Sequence, residues 1–251
     1  MALNLLIHPG SARAQTEVDL ALVLAVDISN SMDPDEQELQ RQGFVEAFRS
    51  PLVHNAIGSG MLGRIAVAYL EWAGPSIQYV TVPWTQIGGL EDALSFADRL
   101  AQAPIRRGPR TSISAAIDAS VRLLSESSVE AVRRVIDVSG DGVNNLGRSV
   151  TQARDQALAQ GIVINGLPLL LNRPINSWDA ENLDEYYRDC VIGGLGAFMI
   201  PVRERHQFAE AIKTKIIREI AGAEPKASIV PAQAPSVPRT TCEIGTSPWA
   251  N

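Results

Sequence analysis

From Asp19 to Met32 the chain reads DLALVLAVDISNSM. The run from Leu20 to Val26 contains only Leu, Val and Ala and is too short for a free-standing helix. That is the pattern of a strand buried on both faces at the centre of a sheet. It ends in Asp27, Ser29 and Ser31, three oxygen-bearing side chains at alternate positions, and then in Asp33-Pro34-Asp35-Glu36, which reads as the cap and first turn of a helix. Open α/β sheets bind their ligands at the carboxyl ends of such strands. Carboxylate and hydroxyl oxygens gathered there suit Mg2+, Mn2+ or Ca2+ rather than zinc or copper. A strand-to-helix turn whose side chains act only as caps uses the same residue types, so the rest of the chain has to decide.

Strand and helix patterns alternate along it. An amphipathic helix follows over Asp35–Arg49, with a further turn over Leu52–Ile57. Arg64–Trp72 is the second strand, and Ile77–Trp84 a third, joined to it by the tight Gly74-Pro75 turn. So short a connection makes that pair antiparallel. Helical periodicity covers Gly89–Ala101, Thr111–Ser125 and Ser149–Gln160. Further strands are expected at Arg133–Ser139, Ile162–Leu170 and Gly193–Val202. In the last helix, Glu204–Ile220, Phe208, Ile212, Ile216 and Ile220 repeat every four residues and should face the sheet. The alternation predicts a doubly wound, Rossmann-like α/β fold: a mostly parallel six-stranded sheet with one antiparallel edge strand.

Composition limits what surrounds that fold. A net charge of −6 argues against non-specific nucleic-acid binding, which rests on phosphate neutralisation by Lys and Arg. No run approaches the length of a membrane span, so no integral membrane segment is expected. Residues 1–15 carry a short apolar stretch, Leu3 to Ile7, and Ala12-Arg13-Ala14, a small-x-small signal-peptidase pattern. They read as a truncated signal peptide, which places the protein in the periplasm or outside the cell. Residues 16–222 read as the folded domain, and 223–251 as a Pro/Ala-rich tail. The two cysteines, Cys190 and Cys242, are too far apart for a zinc site and fit one disulfide tying the tail to the domain; two free thiols are the alternative.

Two further motifs join the first. Asp27-x-Ser29-x-Ser31 matches the DxSxS signature of von Willebrand factor A (vWA) domains, the start of their metal-ion-dependent adhesion site (MIDAS). Gly108-Pro109-Arg110-Thr111-Ser112 resembles the second vWA motif, in which a threonine donates its hydroxyl to the metal. Val138-Ser139-Gly140-Asp141-Gly142 resembles the third, usually written TDG, with Asp141 as the match and Gly140 in the threonine's place. The intervals, 80 residues from Ser31 to Thr111 and 30 from there to Asp141, are those of the family. The resemblance runs from Asp19 to Ala221 and points to secreted bacterial vWA-like proteins of unknown function rather than to integrins.

That resemblance implies a divalent cation, Mg2+ or else Mn2+ or Ca2+, held directly by Ser29, Ser31 and Thr111. Asp27 and Asp141 would act through waters or through the serines. Neutral hydroxyl ligands leave the ion electropositive toward an open position, which a carboxylate from a protein partner would fill. The expected function is therefore binding an acidic side chain of a partner, not catalysis. One alternative is a vWA scaffold whose metal site is unused and whose partners bind elsewhere, for example on the aromatic segment Trp178–Tyr187. Another is a metal-dependent hydrolase or phosphatase, but such sites recruit His or several carboxylates, and His8, His54 and His206 show no mutual spacing. Arg106, Arg107 and Arg110 beside Thr111 either steer an acidic partner or form a solvated loop. Asn144 and Asn145 are read as shaping their turn.

Overall fold

The computed structural model describes residues 16–171, 182–222 and Cys242. The leader expected over 1–15, Trp178 and all of the tail except Cys242 lie outside them. Strand β1 (Thr16–Asp27) is the centre of a five-stranded sheet ordered β3-β2-β1-β4-β5, with β2 Ile65–Trp72, β3 Gln78–Ile87, β4 Val129–Gly140 and β5 Ile162–Pro168. β1 pairs in parallel with both β2 and β4, β4 pairs in parallel with β5, and β3 runs antiparallel on the β2 edge. The helices are α1 Pro34–Arg49, α2 Pro51–Gly58, α3 Leu90–Gln102, α4 Ile113–Ser125, α5 Val150–Leu158, α6 Leu183–Tyr186 and α7 Phe208–Ala221.

The apolar run in β1 has a simple reason: both of its faces are covered. Leu20, Leu22, Leu24 and Val26 pack with Phe44 and Phe48 of α1, Phe96 of α3, and Ile212 and Ile216 of α7. The alternate residues Ala21, Val23 and Ala25 pack with Ile113 and Ile117 of α4, Val150 of α5, and Tyr187. Each fully buried Leu or Val contributes about 1.5–3 kcal/mol relative to exposure, so the run from Leu20 to Val26 anchors both layers of the core. Asp33 caps α1 as expected. Its Oδ1 accepts from Glu36 N at 2.8 Å, while Glu36 Oε2 accepts from Asp33 N at 3.1 Å, with Pro34 in the first turn.

The sheet has five strands, not six. The segment expected as a strand over Gly193–Val202 meets β5 only at isolated bridges, Gly166 with Met199 and Leu169 with Val202 in parallel, and Ile164 with Gly193 antiparallel. Gly194 and Gly196, with φ of 99° and 75°, part the Gly193 bridge from the later two, and between those two Pro168 falls opposite Pro201, neither with an N–H to continue a ladder. β4 starts four residues earlier than its sequence pattern, at Val129, because β1 extends back to Thr16 and pairs with it there. The last predicted helix begins with a separate 3-10 turn, Arg205–Gln207. The described part of the aromatic segment packs inward: Tyr186 and Tyr187 are buried, and a π-helical turn, Tyr187–Val191, follows α6. Cys190, in that turn, is disulfide-bonded to Cys242. Among the described residues no helix is long and apolar enough to cross a membrane.

Candidate metal centre

At the carboxyl ends of β1 and β4 the chain gathers most of the oxygens that the sequence singled out. Asp27, the last residue of β1, is fully buried, and its Oδ1 accepts from Ser29 N at 2.6 Å, which folds the DxSxS turn back on itself. Ser29 Oγ lies 2.7 Å from Ser31 Oγ, and Ser31 Oγ donates to Asp141 Oδ1 at 2.7 Å. Asp141 follows the end of β4 and is itself buried. One continuous chain of oxygens therefore links the first motif to the third.

Thr111 is brought to the same place by the backbone. Asn30 N donates to Gly108 O at 2.8 Å and Gly108 N to Ile28 O at 2.9 Å, fastening the threonine loop to the DxSxS turn. A Cβ placed on Gly142, next to Asp141, would lie 3.8 Å from Thr111 Oγ1. The asparagines shape the turn, as the sequence indicated. Asn145 Oδ1 accepts from Thr111 N and Asn144 Oδ1 from Ser114 N, both at 2.9 Å. The candidate residues offer oxygen atoms alone: three neutral hydroxyls and two carboxylates. Among the described residues no cluster of three or more His, Cys, Asp or Glu could hold a metal instead. His54 contacts Phe48 O at 2.7 Å, and His206 is exposed beside Glu204 at 3.2 Å.

Three contributors were not foreseen. Gln40 Nε2 donates to Ser139 Oγ at 2.8 Å, which joins α1 to the end of β4. Arg107 Nη2 donates to Asn30 O at 2.9 Å and Met32 O at 2.7 Å, so it braces the DxSxS turn rather than facing solvent alone. The third is Tyr187, and it accounts for the departure from TDG. A Cβ on Gly140 would sit 2.9 Å from Asp27 Oδ2 and 3.0 Å from Tyr187 Oη, too close for a side chain. Burial and the Asp27 carboxylate hold the Tyr187 phenol well above its ordinary range, so it stays protonated. Its approach through sequence-distant packing left no signal in the motif except the glycine itself.

Gly140→Thr, which introduces the threonine of the TDG motif, is expected to lose about 1–3 kcal/mol through overpacking. Urea unfolding checks it, and the double variant Gly140→Thr/Tyr187→Leu should recover part of the loss. A Gly140→Thr protein as stable as the wild type would refute this reason for the glycine.

The family model described as "Protein of unknown function (DUF1194)" matches residues 17–224. The chain belongs to the DUF1194 family. No curated protein matches the sequence. Solved structures place this DUF1194 domain among vWA-like folds. A von Willebrand factor type A structure from Catenulispora acidiphila matches with a TM-score of 0.57 at 10% identity, over 81% of this chain and 43% of that one. Proximal thread matrix protein 1 from the mussel byssus, with a zinc-occupied MIDAS motif, matches with a TM-score of 0.61 at 12% identity, over 82% of this chain and 49% of that one. The pilus adhesin SpaC of Lactobacillus rhamnosus GG, in its open conformation, matches with a TM-score of 0.60 at 12% identity, over 81% and 30%. The DUF1194 chain thus covers less than half the length of each of these structures, and at such identities the likeness establishes the fold.

Proposed function

We propose that this DUF1194 domain is a non-catalytic binding protein that holds a divalent cation with Asp27, Ser29, Ser31, Thr111 and Asp141 and uses it to engage an acidic side chain of a partner protein. The observation that carries the reading is the linked set of oxygens, Ser29 to Ser31 to Asp141 at 2.7 Å each, at the carboxyl end of the central strands. In this reading Ser29, Ser31 and Thr111 supply neutral lone pairs. Asp141, which accepts from Ser31 Oγ, orients that hydroxyl and adds negative charge one atom further out, and Asp27 fixes the turn through Ser29 N. The bound ion supplies an electropositive position for an incoming carboxylate. The neighbouring folds include an adhesin and a byssus matrix protein, which supports adhesion-type binding.

Mg2+ is our first assignment, with Mn2+ or Ca2+ next. The mussel protein holds zinc in its MIDAS, so the preference against zinc drawn from donor hardness is dropped. We further propose a periplasmic or secreted location. The Cys190–Cys242 disulfide and the Ala12-Arg13-Ala14 pattern support it.

The test is calorimetric titration of chelator-stripped protein with Mg2+, Mn2+, Ca2+ and Zn2+, beside Asp27→Ala and Thr111→Ala. Wild type is expected to bind at least one ion, and both variants, while still folded, to bind it at least about tenfold more weakly, one direct or orienting ligand contributing ~1.4 kcal/mol or more. Folded wild type that takes up none of the four ions would sink the metal reading in favour of an unused site.

A further inference from the structure

Three arginines sit in the loop that leads to Thr111, and the structure separates them. Arg106 Nη1 donates to Glu71 Oε2 at 2.9 Å and to Thr81 Oγ1 at 3.2 Å. Arg107 is taken up by the carbonyls of Asn30 and Met32. Arg110 is exposed and makes no hydrogen bond or ion pair with any of the described residues. It is also, among them, the one non-glycine residue with positive φ, at 71°. An L side chain pays a steric penalty there that glycine escapes.

The strain is imposed from both sides. Gly108 is bonded to Ile28 and Asn30, Thr111 N to Asn145 Oδ1, and Ser112 N to Ala73 O at 2.8 Å. The backbone cannot relax, so the residue at 110 is held, uncommitted, beside the candidate ligand Thr111. Strained backbone of this kind concentrates at functional sites.

The acidic groups on the far rim do not neutralise this arginine. Asp33 and Glu36 are engaged by Arg205 at 2.6 and 3.5 Å. In the metal reading the ion's direct ligands are neutral hydroxyls, with Asp27 and Asp141 behind them, so its open position stays positive. The exposed Arg110, one residue before Thr111 in the chain, offers a second positive group on the same loop. A single carboxylate satisfies one of them.

We propose that Arg110 sets the partner specificity of the site by binding a second carboxylate, so that the preferred partner presents two neighbouring acidic side chains, one to the ion and one to Arg110. The proposal rests on the metal reading above. The planar guanidinium fork matches a carboxylate in a paired, charge-assisted geometry that a lysine or glutamine cannot reproduce.

The test uses Mn2+ as the ion and two labelled, capped pentapeptides, Gly-Gly-Glu-Gly-Gly and Gly-Glu-Glu-Gly-Gly, with wild type, Arg110→Gly and Arg110→Gln. Wild type loaded with Mn2+ is expected to bind the diacid peptide about tenfold tighter than the monoacid one, the usual scale for one added charge-assisted pair. Both variants should bind the two peptides alike while their Mn2+ affinity, read by calorimetry without peptide, stays unchanged. The Tm of metal-free Arg110→Gly should equal or exceed that of wild type, because glycine relieves the positive φ. A diacid preference that survives in Arg110→Gly overturns the proposal. So does a fall in both Tm and Mn2+ affinity, which would make Arg110 a structural residue of the loop. Wild type that takes up none of Mg2+, Mn2+, Ca2+ and Zn2+ also overturns it, but through the metal reading, and the peptide-free titration distinguishes that case.

Discussion

Lys215→Met is expected to destabilise the domain by about 3–5 kcal/mol, the usual loss when one partner of a buried ion pair is removed. The Lys215 side chain on α7 is 1% exposed, with its Nζ 3.0 Å from Asp137 Oδ1 of β4 and 2.7 Å from Glu219 Oε1. Asn165 of β5 extends the network: its Nδ2 donates to Glu219 Oε2 at 2.6 Å and its Oδ1 accepts from Phe198 N at 2.8 Å. Without the ammonium, two carboxylates face each other in a dry interior. Urea unfolding at neutral pH measures the loss. The fully neutral triple variant Lys215→Met/Asp137→Asn/Glu219→Gln should recover most of it, because the penalty lies in the stranded charge and not in the absence of a favourable bond. A single variant within 1 kcal/mol of wild type would refute the account.

The same cluster predicts how stability changes with pH. Burial is the largest influence on Asp137 and raises its carboxyl to about 6, against the pull of Lys215. Burial also pulls the Lys215 ammonium down, but Asp137 and Glu219 together raise it above the usual lysine range. Between these two groups, Asp137 is therefore the one that takes up a proton as pH falls towards 6. Its folded pKa lies above the unfolded one, so the folded state holds a proton that the unfolded chain releases. The resulting stability is fully present below pH ~3.8 and is lost as pH rises through about 6. The contribution is on the order of 3 kcal/mol at most, from ~2 pKa units at 1.36 kcal/mol each. The same component should be missing from the pH profile of Asp137→Asn, and an identical slope in both proteins would contradict the assignment.

Glu71→Ala is expected to cost about 3 kcal/mol by the same physics with the sign reversed, since it strands a cation. Glu71, at the end of β2, is 1% exposed and is paired with Arg41 of α1 and, at 2.9 Å, with Arg106. Thr81 Oγ1 donates to its second oxygen at 2.7 Å. Arg41 also donates to Leu100 O at 3.1 Å and Ala103 O at 3.0 Å, so it fastens α1, β2 and the end of α3 together. Losing Glu71 also leaves Arg106, among the described residues, with only Thr81 Oγ1 and the Tyr79 ring, which loosens the loop that presents Thr111. Metal affinity should therefore fall together with stability. Glu71→Gln, which keeps an acceptor for both arginines, should lose less. Full stability in Glu71→Ala would mean that the carbonyls alone satisfy Arg41.

The elements set by local pattern were legible in the sequence. The doubly covered run in β1, the Asp33 cap and the Gly74-Pro75 turn each carry their own signal within a few residues. The strand that failed shows the limit. Gly193–Val202 has strand-like composition at Phe198–Val202, but the turn at Gly194 and Gly196 and the facing prolines Pro168 and Pro201 reduce its pairing to isolated bridges. The start of β4 was missed because Val129 to Val132 is extended by its neighbour Thr16–Val18 and not by an apolar alternation of its own. At the candidate site, motif spacing singled out five residues, and the fold links four of them through Ser29 and Ser31. Tyr187, Gln40 and the bracing role of Arg107 were not foreseen, because each acts on a residue far away in sequence. The buried Lys215 cluster was likewise hidden inside an otherwise ordinary amphipathic repeat.

The bond between Cys190 and Cys242, 52 positions apart, sets the route by which mechanical load crosses the domain. A pull applied between the two ends of the chain follows the backbone to Cys190, crosses the sulfur bridge and leaves through Cys242. Residues 191–241, α7 and Lys215 among them, lie inside the closed covalent loop and carry none of that tension. The π-helical turn receives it instead at Cys190, three positions after its first residue, Tyr187, whose hydroxyl lies over Gly140 beside Asp27. The covalent path for a tug on the tail therefore enters the domain at the turn that holds Tyr187, and bypasses α7.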